Sequence, residues 1–137
     1  MVKHRILIVE DDQELASAYQ TRLEVEGFDV FWCSNGEDAL AKTAEHRPDL
    51  ILLDIMMPRI SGYDTLDILR NTDGVKHIKI IVLSALSQEK DVAKAMALGA
   101  NEYCVKSQTT IGEVVTKIRR LLGTQGQTAG ESKDQSS

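Results

Sequence analysis

Acidic, hydroxyl and amine side chains stand directly after four short apolar segments of the chain. Glu10-Asp11-Asp12 follows the first of these segments, Asp54 the second, Ser84 the third and Lys106 the fourth. If the segments are strands of one parallel sheet, their carboxyl ends share an edge, and ligands of such sheets bind at that edge. We therefore expect these side chains to meet there. The combination is more specific than any of its members.

The acidic residues of this set predict a divalent metal site. Carboxylates that converge without a cation repel one another and raise each other's pKa. Mg²⁺ removes that cost, because it prefers oxygen ligands and commonly uses one or two carboxylates together with waters and a phosphate. By itself, Glu10-Asp11-Asp12 is also typical of a solvated turn in which Asp12 caps the next helix.

Asp54 is the candidate nucleophile. A carboxylate can carry a covalent acyl phosphate, and phosphoryl transfer depends mainly on positioning and charge neutralisation. Lys106 and a divalent cation would neutralise the phosphoryl group, and the Ser84 hydroxyl would hold one of its oxygens. Taken singly, each residue also has a simpler interpretation: Asp54 as an ion-paired strand end, Ser84 as the N-cap of a helix, and Lys106 as a surface lysine.

The apolar segments predict the sheet that positions these residues. Ile6–Val9, Leu50–Leu53 and Ile80–Leu83 are continuous aliphatic runs, which are typical of parallel strands buried on both faces. Phe28–Cys33 and Asn101–Val105 include acidic residues and predict partly exposed strands nearer the edges. Five strands that alternate with helices predict an α/β fold, in which a five-stranded parallel sheet carries helices on both faces.

Sequence signals mark where several of the helices begin and end. Glycines stand where three helices should stop, at Gly27, Gly74 and Gly99. Thr110 and Glu113 have the spacing of a capping box, which predicts the start of the last helix. Apolar residues at intervals of three and four follow that start and give the last helix one apolar face.

Length and composition restrict the classes of protein to which the chain can belong. Its 137 residues suit one domain. Its 16 Lys and Arg against 21 Asp and Glu give a net charge of −5, which argues against direct nucleic-acid binding. We expect no signal peptide and no membrane span. Cys33 and Cys104 do not form a disulfide framework, so we expect a reducing, cytoplasmic setting.

The composition changes near the carboxyl end of the chain. Residues 123–137 contain no large apolar side chain and cannot bury a face. We therefore predict one domain over residues 1–122, followed by a flexible polar tail or the stump of a linker over residues 123–137.

Three other chemistries lack the residues that they require. No G-x-S-x-G motif occurs, and no histidine follows another strand to activate Ser84, so a serine hydrolase is disfavoured. No P-loop or G-x-G-x-x-G follows the first strand, which disfavours a nucleotide-binding fold. A phosphohydrolase that used Asp54 would need a second acid or base two residues later, where Met56 stands.

Four motifs together resemble the receiver domain of two-component response regulators, including its single-domain chemotaxis-type members. They are the segments Ile6–Asp12, Pro48–Pro58 with Gly62, Val82–Ala85 and Gly99–Lys106. The motifs occur in the family's order and spacing, and the resemblance covers about residues 4–122. It implies a flavodoxin-like fold with strand order 2-1-3-4-5.

The resemblance also implies a role for each site residue. Asp54 is the implied phosphoacceptor, with Ser84 and Lys106 as its catalytic partners. The implied ligands of Mg²⁺ or Mn²⁺ are Glu10, Asp11, Asp54 and the Met56 carbonyl, with Asp11 and Asp54 binding directly. The residues implied to contact the phosphoryl group are Met56, Ser84, Ala85 and Lys106. The implied switch pair is Ser84 and Tyr103, although Tyr103 alone is equally typical of a half-buried strand tyrosine.

The function implied by this resemblance is that of a cytoplasmic phospho-acceptor module. It would receive a phosphoryl group from a histidine kinase or phosphotransfer protein, lose it slowly by its own catalysis, and signal through the face formed by helix four, strand five and helix five. An unknown output partner or effector domain would read that face, and the chain would be a monomer or a phosphorylation-dependent dimer. The alternative is a pseudo-receiver, which uses the same fold for interaction without phosphorylation.

The chain departs from the family pattern directly after the lysine. Ser107 and Gln108 replace the usual proline and the frequent phenylalanine. A cis bond before a non-proline residue costs about 2.5–4 kcal/mol, so we expect a trans Lys106–Ser107 peptide. We further expect the Lys106 ammonium to lie farther from Asp54 and phosphorylation to be slower.

Overall fold

The structure, a computed structural model, describes residues 3–57 and 59–123. Within these residues, five strands and five α-helices alternate. In chain order they are β1 (Arg5–Val9), α1 (Gln13–Val25), β2 (Asp29–Cys33), α2 (Gly36–His46), β3 (Leu50–Leu53), α3 (Gly62–Arg70), β4 (Lys79–Ser84), α4 (Glu89–Ala97), β5 (Glu102–Val105), a 3₁₀ turn (Lys106–Gln108) and α5 (Ile111–Leu122).

The strands form one parallel sheet in the order β2-β1-β3-β4-β5. This confirms the predicted α/β fold and its flavodoxin-like strand order. The three aliphatic segments are the central strands, and the two mixed segments are the edge strands. Because every strand runs in the same direction, the residues that follow the strands lie along one edge of the sheet.

Helices cover both faces of the sheet, so alternate residues of a central strand enter different cores. On β1, Ile6 and Ile8 belong to the core that α1 and α5 cover, whereas Leu7 and Val9 belong to the core that α2, α3 and α4 cover. All four side chains are at most 3% exposed. This two-sided burial explains why the central strands are continuously apolar rather than alternating.

The helix ends follow the predicted signals. Asp12 is the N-cap of α1, and its carboxylate accepts a hydrogen bond from the Leu15 N–H at 3.2 Å. Gly27 and Gly99 stand one residue beyond the C-caps of α1 and α4 and have φ of 98° and 111°, which glycine adopts without steric cost. The predicted Gly74 lies farther from its helix, in the turn after α3, with φ of 90°.

The predicted capping box opens α5. The Thr110 hydroxyl accepts a hydrogen bond from the Glu113 N–H at 3.1 Å, and the Glu113 carboxylate accepts one from the Thr110 N–H at 2.7 Å. The two bonds satisfy two backbone donors that a bare helix start would leave without partners.

Thr110→Ala is expected to destabilise the protein by about 1 kcal/mol, because it removes the cap of α5. Thr116→Ala is the matched control, since Thr116 is exposed and its hydroxyl bonds only the Gly112 carbonyl within the same helix. Urea unfolding of the two variants measures the difference. Equal stabilities for both would show that the cap contributes nothing.

The described chain ends at Gly123, the C-cap of α5, whose φ is 71°. The rest of the predicted tail lies outside the described residues, so the domain boundary at 122 stays a prediction. The longest described helix, α1, has 13 residues. Among the described residues, no helix is long and apolar enough to cross a membrane.

Candidate functional site

The sheet holds the two carboxylates that follow β1 and β3. The Asp54 N–H donates to the Val9 carbonyl at 3.0 Å, and the Glu10 N–H donates to the Cys33 carbonyl at 3.0 Å. The ladder therefore continues one residue past each strand, and both backbones are fixed. Glu10 is 3% exposed and Asp54 is 4% exposed, so both side chains are withdrawn from bulk water.

Lys106 joins these two buried carboxylates. Its Nζ lies 2.8 Å from Glu10 Oε1 and 2.9 Å from Asp54 Oδ2. A buried carboxylate is strongly unfavourable without a counter-charge. One ammonium thus compensates two acids at the carboxyl edge of the sheet, which excludes the interpretation of Lys106 as an ordinary surface lysine. Asp54 is indeed ion-paired at a strand end, as its simpler interpretation proposed, but its partner belongs to the predicted site.

The segment after Lys106 confirms one prediction and corrects another. Among the described residues no peptide bond is cis, so the Lys106–Ser107 bond is trans, as predicted. The expectation that the trans form would hold the Lys106 ammonium farther from Asp54 is wrong. The chain turns directly into the 3₁₀ turn, and the long lysine side chain reaches back to Asp54. The argument for slower phosphorylation therefore loses its basis.

Backbone donors complete the environment of both carboxylates. Asp54 Oδ1 accepts from the Met56 N–H at 3.0 Å, and Glu10 Oε2 accepts from the Asp12 N–H at 3.1 Å. Burial raises the pKa of Glu10 to about 7, with a further rise from the Asp54 charge, against the lowering by Lys106 and the Asp12 N–H. For Lys106, burial lowers the pKa, but the bonds to Glu10 and Asp54 raise it more, so its pKa is raised.

Three carboxylates form the candidate metal centre. One oxygen each from Glu10, Asp11 and Asp54 lies within 4.8 Å of the others. Asp11 is exposed while the other two are buried, so the cluster opens to solvent on one side. These donors are all hard oxygens, the set that Mg²⁺ or Mn²⁺ prefers. Asp12, the third residue of the acidic run, caps α1 instead.

Ser84, the last residue of β4, is fully buried. Its hydroxyl accepts a hydrogen bond from the Leu86 N–H at 3.3 Å. The N-cap of α4 is Gln88, so the alternative in which Ser84 caps that helix is excluded. Ala85, the next residue, is exposed to solvent.

Tyr103 contacts the same β4–α4 segment from β5. Its hydroxyl donates to the Leu86 carbonyl at 2.8 Å, and its ring is partly buried against the core that faces α2, α3 and α4. Burial raises the pKa of Tyr103, and the Ser84 side chain opposes this shift. Leu86 therefore bonds Ser84 through its N–H and Tyr103 through its carbonyl, which connects the two predicted switch residues.

Two neighbours of the site were not predicted. Trp32, the only tryptophan of the chain, donates from its indole N–H to the Glu10 carbonyl at 2.8 Å. Gly62 packs so closely on the β3–α3 loop that a Cβ there would overlap the backbones of Asp54 and Ile55. The position of Trp32 near the end of β2 was the available signal for the first. For Gly62, the sequence showed only that the residue belongs to one of the four motifs, and nothing in it indicated the close packing on the loop.

Fold and site together define a class of protein: a doubly wound parallel sheet with an acidic cluster and a paired lysine at its carboxyl edge. The sequence profile of the response regulator receiver domain matches residues 6–119. The chain belongs to this family, as its motifs indicated.

Curated relatives are regulators with a longer chain. The transcriptional regulatory protein PrrA of Mycobacterium tuberculosis is 35% identical over 130 residues, which cover 95% of this chain and 54% of PrrA. The transcriptional regulatory protein CpxR of Escherichia coli K12 is 40% identical over 119 residues, covering 87% of this chain and 49% of CpxR. The chain therefore spans about half the length of the curated relatives that it matches.

Solved structures match the whole fold. The receiver domain of the Francisella response regulator 1452 superposes with a TM-score of 0.82 at 27% identity, covering 88% of this chain and 98% of that one. The signal receiver domain of a signal transduction histidine kinase from Syntrophus aciditrophicus gives a TM-score of 0.81 at 30% identity, with 93% and 96% covered. The same domain thus occurs in proteins of different overall design.

Proposed function

We propose that this domain accepts a phosphoryl group on Asp54 from a histidine kinase or phosphotransfer protein. The observation that carries the proposal is the placement of the Asp54 carboxylate, buried at the end of β3, where it contacts the Lys106 ammonium and forms an acidic cluster with Glu10 and Asp11. The functions named for the curated relatives agree with a regulatory role rather than with turnover of a metabolite.

The proposed step is a displacement at phosphorus. One Asp54 oxygen bonds to phosphorus while the bond from phosphorus to the donor nitrogen breaks, which leaves an acyl phosphate on Asp54. The Met56 N–H already orients one oxygen of the carboxylate, and Lys106 holds the other. Slow attack by water on the same phosphorus would break its bond to the Asp54 oxygen, release inorganic phosphate and return Asp54 to its free carboxylate.

Asp11, Asp54 and the Met56 carbonyl are the proposed direct ligands of Mg²⁺, or of Mn²⁺, and Glu10 supports the site from the inner side. The cation, when bound, supplies positive charge that neutralises the phosphoryl oxygens. Glu10 keeps Lys106 at the site through its 2.8 Å ion pair. This arrangement leaves the exposed Asp11 as the carboxylate most accessible to an incoming cation.

Trp32 provides a probe of cation binding, because its indole bonds the Glu10 carbonyl. Titration with Mg²⁺, followed by Trp32 fluorescence and by calorimetry, is expected to show one site. Asp11→Asn is expected to weaken it by about tenfold or more. Glu14→Gln removes a nearby acid outside the cluster and should bind Mg²⁺ as the wild type does. If both variants weakened Mg²⁺ binding equally, the affinity would depend only on the overall negative charge of this region and not on Asp11 as a ligand.

Lys106, Ser84 and the Ala85 N–H are the proposed contacts of the phosphoryl oxygens, together with Met56. Lys106 already contacts Asp54, while Ser84 ends the neighbouring strand β4 and Ala85 follows it. When the Ser84 hydroxyl turns toward the phosphoryl group, its bond from the Leu86 N–H is lost. Leu86 also accepts the Tyr103 hydrogen bond, so the change reaches the face formed by α4, β5 and α5.

Ser84→Ala is expected to accept the phosphoryl group from a small acyl phosphate but to lose the response of Tyr103. The measurements are intact mass for phosphorylation and the NMR shifts of the Tyr103 ring before and after it. Ser87→Ala, an exposed position in the same segment, is the control and should respond as the wild type does. A normal Tyr103 response in Ser84→Ala would show that the signal leaves by another route.

A further inference from the structure

A cavity of about 180 Å³ lies beside the proposed phosphorylation site, on the side of the sheet covered by α1 and α5. It opens to solvent and is distinct from the acidic cluster. The residues that line it are Leu15, Tyr19, Leu83, Lys106, Thr109 and Ile111. The apolar side chains of Leu15, Leu83 and Ile111 form much of the cavity wall. The hydroxyl groups of Tyr19 and Thr109 add polar atoms to it.

Tyr19 is the polar group of the cavity that lacks a partner. It is 5% exposed, and no described residue forms a hydrogen bond with its hydroxyl. Most buried polar groups in proteins are hydrogen-bonded, and each exception needs an explanation. Tyr19 also lines a gap of about 10 Å³ beside Glu10 and Asp54, which has room for no more than one water. The larger cavity is therefore the space beside Tyr19 that can hold a molecular partner for the hydroxyl.

The remaining groups define the chemistry of that molecule. Burial, with a contribution from Cys104, raises the pKa of Tyr19 to about 12, so its hydroxyl is a neutral donor at physiological pH. The Lys106 ammonium is already held by Glu10 and Asp54, so the cavity offers no free cation for an anion. The volume suits a single ring, because an apolar cavity of about 150 Å³ accommodates benzene.

We propose that this cavity binds a small neutral molecule of single-ring size that accepts a hydrogen bond from the Tyr19 hydroxyl. Lys106 forms one wall of the cavity and also contacts Asp54. The ligand would therefore lie against a residue of the proposed phosphorylation site without occupying that site. Binding itself does not depend on phosphoryl transfer.

Phenol is the probe for this proposal. Benzene, which has no oxygen to accept a hydrogen bond, is the control compound. Titration of the full, unphosphorylated chain is followed by ¹H–¹⁵N NMR. Both compounds are expected to shift the backbone signals of Leu15, Leu83 and Thr109. Tyr19→Phe keeps the shape of the cavity. It should weaken the binding of phenol by about 3- to 10-fold and leave the affinity for benzene unchanged. The spectra themselves report whether each variant is folded.

A second variant tests the location of the site. Ile111→Phe adds a ring at the cavity wall and is expected to abolish binding of both compounds, whereas Ile68→Phe, on the distant α3 surface, should change neither. The proposal is overturned if phenol produces no shifts at saturating concentration, if Tyr19→Phe binds phenol as the wild type does, or if Ile111→Phe still binds it. None of these outcomes involves Asp54, so they are separable from failure of the proposed function.

Discussion

Asp54→Asn is expected to abolish phosphorylation of the protein by a small acyl phosphate in the presence of Mg²⁺. The amide has nearly the shape of the carboxylate but is far too weak a nucleophile, and it removes one negative charge from the candidate metal cluster. Intact mass after incubation measures the effect. The wild type should gain one phosphoryl group, and the variant none.

Asp12→Asn is the matched control for this variant. Asp12 stands in the acidic run, but its carboxylate caps α1, and asparagine is an equally good cap. This variant should therefore be phosphorylated like the wild type. A phosphoryl group that persists in Asp54→Asn, or one that is lost in Asp12→Asn, contradicts the assignment of the nucleophile.

Gly62→Ala is expected to destabilise the protein by about 1–3 kcal/mol, the usual cost of overpacking. A Cβ at this position would overlap the backbones of Ile55 and Asp54, and backbone cannot move aside as a flexible side chain can. The Gly62 N–H also donates to the Ile55 carbonyl at 2.9 Å, so the helix start and the loop are tied together. Displacement of Asp54 should reduce the rate of phosphorylation as well.

Gly112→Ala is the control for the glycine substitution. A Cβ at Gly112, in the first turn of α5, would meet no atom closer than 3.8 Å. Alanine is the better helix former by up to about 1 kcal/mol, so this variant should be as stable as the wild type or more stable. Urea unfolding compares the two. Equal stability of Gly62→Ala and the wild type would show that the loop tolerates the added atom.

The architecture was accessible from sequence because burial on both faces leaves a continuous signal. Each of the four residues of β3, Leu50–Leu53, is at most 2% exposed. Because alternate side chains of such a strand are buried on opposite faces of the sheet, every position must be apolar. The edge strands were recognisable for the opposite reason, since β2 begins with the exposed Asp29. Parallel strands share a carboxyl edge, so the convergence of Asp54 with the acidic run followed from the same reasoning.

Contacts that depend on loop paths and on packing between distant segments were not accessible. The path after Lys106 decides how far its ammonium reaches, and the sequence shows only that proline is absent there. The observed double ion pair with Glu10 and Asp54 therefore corrected the expectation. Similarly, Leu15, Tyr19 and Leu23 have the spacing of one helix face, but nothing in that spacing predicts a hydroxyl left without a partner beside a cavity.

The identity of the phosphorylated residue in the wild-type protein tests the central claim most directly. The chain is incubated with a small acyl phosphate and Mg²⁺, with a parallel sample that contains a chelator, and peptide fragments are analysed by tandem mass spectrometry. We expect a single phosphoryl group on the fragment that contains Asp54, at Asp54 itself, and none in the chelated sample. A folded protein that acquires no phosphoryl group with Mg²⁺, as a pseudo-receiver would, or one that acquires it at another residue, would contradict the account.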